Sequence, residues 1–152
     1  MPERLAAQPF FAGLALEHLI PLIDRYTIET VAPGATILRA GLPADAARFI
    51  EAGRVALFLS DVPGSDPFET LGPGDVLGLS WLERMGTWAF TAIAWSEVTM
   101  LHMHADELRL AMAEDPVLRH HVNERLNGAL LERLHAVRLQ HLDIYGGPHA
   151  ER

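Results

Sequence analysis

The chain of 152 residues contains no cysteine and no lysine. Without cysteine there are no disulfides, no thiolate metal ligands and no cysteine nucleophile. All twelve basic residues are arginine and face twenty acidic ones, so the formal net charge is −8. Such a chain does not draw phosphate backbones through its overall field, which disfavours nucleic-acid binding by the whole surface. Long apolar runs are also missing, and the start, MPERLAAQPFF, lacks the charged-then-apolar profile of a signal peptide. A cytoplasmic protein is expected. What is present is an ordinary packing composition, 49% apolar and 21% charged, in a length that suits a single domain over 1–152.

The charge is unevenly placed. Residues 1–114 hold seven Arg and fifteen Asp or Glu; residues 115–152 hold five of each. Gly and Pro punctuate the chain up to about 104, and only Pro116 and Gly128 interrupt 105–145. In the first part, Leu16, Leu19, Ile20 and Ile23 recur at helical spacing, which predicts a helix over 14–26 despite Pro21. Eight short β-like runs follow: Thr27–Val31, Thr36–Arg39, Arg48–Glu51, Val55–Ser60, Phe68–Leu71, Val76–Ser80, Phe90–Ala94 and Val98–Met103. Turn signals separate them at Pro33-Gly34, Gly41, Gly53, Pro63-Gly64 and Pro73-Gly74-Asp75. Strands so spaced, with no helices between them, predict an eight-stranded antiparallel roll or jelly roll over about 27–104.

The remainder, about 105–145, reads as helical. Asp106 and Glu107 suit the first turn of a helix over Ala105–Ala113. Asp115-Pro116 supplies an N-cap and then proline at the first helical position. From there Leu118, Val122, Leu126, Leu130, Leu134, Val137, His141 and Ile144 recur every three to four residues until Gly146-Gly147-Pro148. Residues 146–152 read as a frayed tail. At about 1.5 Å per residue such a helix outruns a small roll. Its stripe Leu126, Leu130, Leu134, Val137 needs cover, either from a second copy across a two-fold axis or from the chain's own roll.

This order of elements resembles the cyclic-nucleotide-binding domain of the Crp/Fnr regulators. Ala32-Pro33-Gly34-Ala35-Thr36-Ile37 and Gly41-Leu42-Pro43-Ala44-Asp45 resemble its first two turns. Phe49-Ile50-Glu51-Ala52-Gly53-Arg54-Val55 resembles its strand–Gly–strand hairpin, and Leu71-Gly72-Pro73-Gly74-Asp75-Val76-Leu77-Gly78 the approach to its phosphate cassette. The resemblance implies a mainly β fold, an eight-stranded roll flanked by an N-terminal helix and a long C-terminal helix. It also implies a ligand site at Gly78, Leu79, Ser80, Thr87, Trp88 and Ala89. In ligand-binding members a Glu of this cassette holds the ribose hydroxyl and an Arg holds the cyclic phosphate. Here those positions carry Leu79 and either Thr87 or Trp88, and Arg84, beside Glu83, is the only cation nearby. Losing both groups costs about 3–6 kcal/mol, two to four decades of affinity, so a cyclic nucleotide is a disfavoured ligand. The amides of Gly78, Ser80 and Ala89 remain able to hold an anion. The helix-turn-helix domain that such regulators carry after the long helix has no room before Arg152, so no direct DNA contact is expected.

Trp81, Trp88 and Trp95 surround the cassette as core fillers or as the wall of a pocket remodelled for a flat or apolar ligand. His102-Met103-His104 with Glu107 resembles part of the metal motif of cupins, which share the jelly roll. A cupin-like metal protein or enzyme is therefore the alternative, although the spacing to Glu107 is short and no strand supplies a further His. His120, His121, His135 and His149 read as solvent-facing, and His141 sits on the apolar stripe. Ser80 lacks a nucleophile-elbow context, and no catalytic residue is expected. The reading is of a sensor or protein-interaction module, paired through its long helix, with an unknown protein partner and no resident cofactor or metal.

Overall fold

The computed structural model describes residues 2–59 and 66–145, with the side chains of Pro2 and 140–145 outside that description. The expected turn at Pro63-Gly64, Ser60 at the end of the fourth run, His149 and the 146–152 tail lie outside the described residues, as do the side chains of His141 and Ile144. Eight strands form: β1 (Tyr26–Val31), β2 (Thr36–Leu38), β3 (Ala46–Ala52), β4 (Val55–Phe58), β5 (Glu69–Leu71), β6 (Val76–Leu77), β7 (Thr91–Ala94) and β8 (Val98–His104). They build two four-stranded sheets in the orders β1-β8-β3-β6 and β2-β7-β4-β5, with every pairing antiparallel. The fold is the expected roll. Phe49, Ile50, Val55, Leu57, Met100 and Leu101 are fully buried in its core. Each contributes roughly 1.5–3 kcal/mol of burial.

The N-terminal helix departs from expectation. In place of a helix over 14–26, α2 spans only Leu16–Leu19 and gives way to a 3₁₀ turn, Ile20–Leu22. Pro21 has no N–H for an α-helical bond, and the chain enters β1 by Tyr26. Leu19 and Leu22 are buried, while Leu16 and Ile20 stay exposed. Before α2 lie α1 (Pro2–Ala6) and a 3₁₀ turn at Pro9–Phe11, neither evident from spacing. The latter seats Phe10 and Phe11 against Phe49, with ring centroids 5.0 and 5.2 Å away. The sixth run is shorter than read, because Gly78 ends β6 and Ser80–Leu82 forms a 3₁₀ turn.

At the other end, α3 (Ala105–Glu114) and α4 (Pro116–Tyr145) are as the caps predict. Asp115 Oδ1 accepts from the N–H of Val117 and Leu118 at 3.0 and 3.3 Å. Its Oδ2 lies 2.6 Å from His18 Nδ1, so the cap also clamps α2 to the start of α4. Leu118, Val122 and Leu126 then bury into the core.

Candidate functional site

The cassette begins at a glycine that the geometry demands. Gly78 has φ of +81°, a region that side-chain-bearing residues rarely enter. A Cβ there would stand 2.5 Å from the Trp88 ring and 3.0 Å from Leu38 Cδ1. In the following turn the fully buried Trp81 donates its indole N–H to the Gly78 carbonyl at 3.1 Å. Arg109 of α3 donates to the Trp81 carbonyl and pairs with Asp106, tying the turn to the helices. Residues 86–88 run beside the 41–44 turn: Gly41 donates to the Trp88 carbonyl at 2.8 Å, and Trp88 donates to the Leu42 carbonyl at 2.9 Å.

Between this segment, β2, β4 and α4 lies a cavity of about 540 Å³, within the range of small-molecule sites. Gly78, Leu79, Ser80, Thr87, Trp88 and Ala89 all line it. Leu130, Leu134 and Val137 of α4 line it too, with Leu38, Leu57, Leu82 and Phe90. Leu126 does not. It is 1% exposed within the core, already covered by its own chain, so Leu130, Leu134 and Val137 are the stripe residues with surface to offer a second copy. Arg84 is exposed and does not line the cavity, whereas Glu83 stands exposed at its rim. Of the three tryptophans, Trp81 is core, Trp88 is both core and cavity wall, and Trp95 lies half exposed in the turn after β7.

One lining residue escaped the sequence reading. Arg133 is 4% exposed and, among the described residues, is the only Arg on the cavity wall. Its Nη2 donates to the Val76 carbonyl, its Nε lies 3.7 Å from Glu69 Oε2, and its Nη1 is buried with no hydrogen-bond partner among the described residues. Burial works against its charged form, opposed by Glu69, Asp75 and Glu132. Burial also pushes the Glu69 carboxyl up, opposed first by Arg133. The signal was available: Arg133 follows Leu126 by seven residues and Leu130 by three, which places a charge on the apolar face of the helix.

The histidines of β8 share a side of their strand. The His102 and His104 rings lie 5.3 Å apart, edge to face. Burial, and then Arg48, lower the His102 pKa from its ordinary 6.5. Glu107 faces Arg25 at 3.6 Å, and among the described residues no three His, Cys, Asp or Glu gather as a metal site. On α4, His120 pairs with Glu124 at 3.3 Å, His135 is exposed, and His121 departs from its solvent-facing reading, placing Nε2 2.8 Å from the Phe10 carbonyl. No helix among the described residues is long and apolar enough to cross a membrane.

Comparison with known proteins agrees with this architecture. Among solved structures, one from Geobacter metallireducens GS-15, assigned as a cyclic nucleotide-binding protein, is 26% identical over 88% of this chain and 97% of that one, with a TM-score of 0.76. The catabolite activator protein of Thermus thermophilus is 24% identical over 91% of this chain, which spans 63% of it, with a TM-score of 0.68. The sensor domain of the transcriptional regulator DNR from Pseudomonas aeruginosa is 17% identical over 87% of this chain and 89% of that one, at a TM-score of 0.69. No curated protein matches the chain. The family model for the cyclic nucleotide-binding domain matches residues 28–115, from the third residue of β1 to the cap of α4 and across the whole cassette. The chain belongs to the cyclic nucleotide-binding domain family.

Proposed function

We propose that the chain is a non-enzymatic sensor module whose cavity accepts a small ligand other than cyclic AMP or cyclic GMP, and which acts on a protein partner as a dimer formed through α4. The observation that carries this reading is the wall of the cavity. Leu79 stands where the family resemblance implies Glu, and Thr87 or Trp88 stands where it implies Arg, among Leu38, Leu57 and Phe90. A ribose hydroxyl placed against such a wall would lose its water without gaining a partner. The excess of acid over base in 1–114 adds repulsion for a cyclic phosphate and for DNA alike. Calorimetry with both cyclic nucleotides tests the exclusion. Dissociation constants weaker than about 10 µM are expected, near −7 kcal/mol or less favourable; tighter binding of either overturns it.

Support for pairing comes from the far half of α4, where Leu130, Leu131 and Leu134 are 47%, 68% and 65% exposed. Three large apolar side chains on one helix segment favour a partner surface, and Leu130 and Leu134 would set that partner against the mouth of the cavity. Light scattering should return a dimer that the double change Leu130→Glu, Leu134→Glu converts to a monomer. A monomeric parent chain at high concentration overturns the pairing.

A further inference from the structure

We infer that the cavity takes a small amphiphilic carboxylate, an apolar body bearing one carboxylate group that Arg133 receives. This rests on the cavity being a ligand site, as proposed above, and names the chemistry of the ligand. The body is set by Leu38, Leu57, Leu79, Trp88, Phe90 and Leu134, whose side chains offer dispersion contacts and, apart from the Trp88 indole N–H, no hydrogen bonds. The head is set by Arg133, which reaches the cavity wall from α4.

Arg133 is more than nine-tenths buried, yet its Nη1 has no hydrogen-bond partner among the described residues. Its neighbour Glu69 faces Nε at 3.7 Å, beyond hydrogen-bond distance, and does not line the cavity. The guanidinium is thus held from behind, by Glu69 and by the Val76 carbonyl, with donor capacity left over. A planar carboxylate matches the geometry of a guanidinium edge, as a phosphate also does. The charge count selects a monoanion. Glu69 already offsets part of the Arg133 charge, so a phosphate dianion would leave uncompensated negative charge in a poorly hydrated site.

The test is calorimetry on the full chain with octanoate and 3-phenylpropanoate, each beside its primary amide, and with cyclic AMP in a separate arm. At least one acid should bind about tenfold or more tighter than its own amide. Octanoate leading points to an acyl chain, and 3-phenylpropanoate leading to an arylalkanoic acid. Arg133→Gln should abolish the preference for acid over amide while amide affinity stays within about threefold. Acids and amides binding equally, or neither acid binding, overturns the inference. If Arg133→Gln fails to fold, the acid-to-amide ratio of the unaltered chain decides alone. The cyclic AMP arm reads the proposed function by itself, because tight cyclic AMP binding sinks that reading whatever the acids do.

Discussion

The two halves of α4 share an apolar spacing and differ in fate. The near half, from Pro116 to about residue 127, sends Leu118, Val122 and Leu126 into the core at 0–1% exposure and is fastened at its start by Asp115 and His18. The far half repeats the leucine spacing but leaves Leu130, Leu131 and Leu134 about half exposed or more. Among its described side chains, the deeply buried charged one is Arg133, which lines the cavity. The near half is anchored by apolar burial that does not depend on any ligand. The far half is held by a buried ion pair and a cavity edge, and a buried ion pair adds little net stability against apolar packing of the same volume.

The sharpest way to break this comparison is at Leu126. Leu126→Ala should cost about 2–5 kcal/mol of stability, read as a lowered urea midpoint with unchanged slope. A cost below about 1 kcal/mol would mean that the near half is not an anchor. Asp115→Ala comes next, because it removes a helix cap and the contact with His18 together, and its urea midpoint should fall by less than that of Leu126→Ala. The hydrogen bond from His18, followed by the Leu118 and Val117 amides, holds the Asp115 carboxyl below its ordinary 3.8. A carboxylate depressed on folding contributes stability above its unfolded pKa and loses it as pH falls through the folded one. The parent chain should therefore lose stability below about pH 4 more steeply than Asp115→Ala does. The smallest effect belongs to the far half: Leu131→Ala in the dissociated chain should stay within about 0.5 kcal/mol. A larger loss would show that this half is anchored in cis after all.

Most of the fold was legible because its punctuation is local. Gly34, Gly41, Gly53 and Gly74 all take positive φ, and each stands where the strand reading placed a turn; Gly78 does so too, but the reading had it inside the sixth run. Asp115-Pro116 marked the start of α4 to the residue. What was not legible was set by contacts distant in sequence. Pro21 turned the second half of a periodic stretch into a 3₁₀ turn, because the chain had to reach β1. The closeness of Gly78 to Trp88 joins positions ten apart across the cassette. Arg133 passed unnoticed because an arginine on a surface helix ordinarily reaches water, and only β5 and β6 packing over it remove that option. The six cassette positions were readable from the resemblance, whereas the cavity they share with α4 required the fold.

The clamp at Asp115 also sets a lever. At about 1.5 Å per residue, α4 extends about 45 Å from that fixed end, and Arg133 sits a little past its middle. Leu118, Val122 and Leu126 fix the first dozen residues against the core, so the free arm begins near residue 127. A bend of about five degrees there would carry Arg133, about 9 Å further on, by roughly 1 Å and the end at Tyr145, about 27 Å further on, by roughly 2 Å. A shift beside the cavity would thus arrive enlarged at whatever surface the far end of α4 touches.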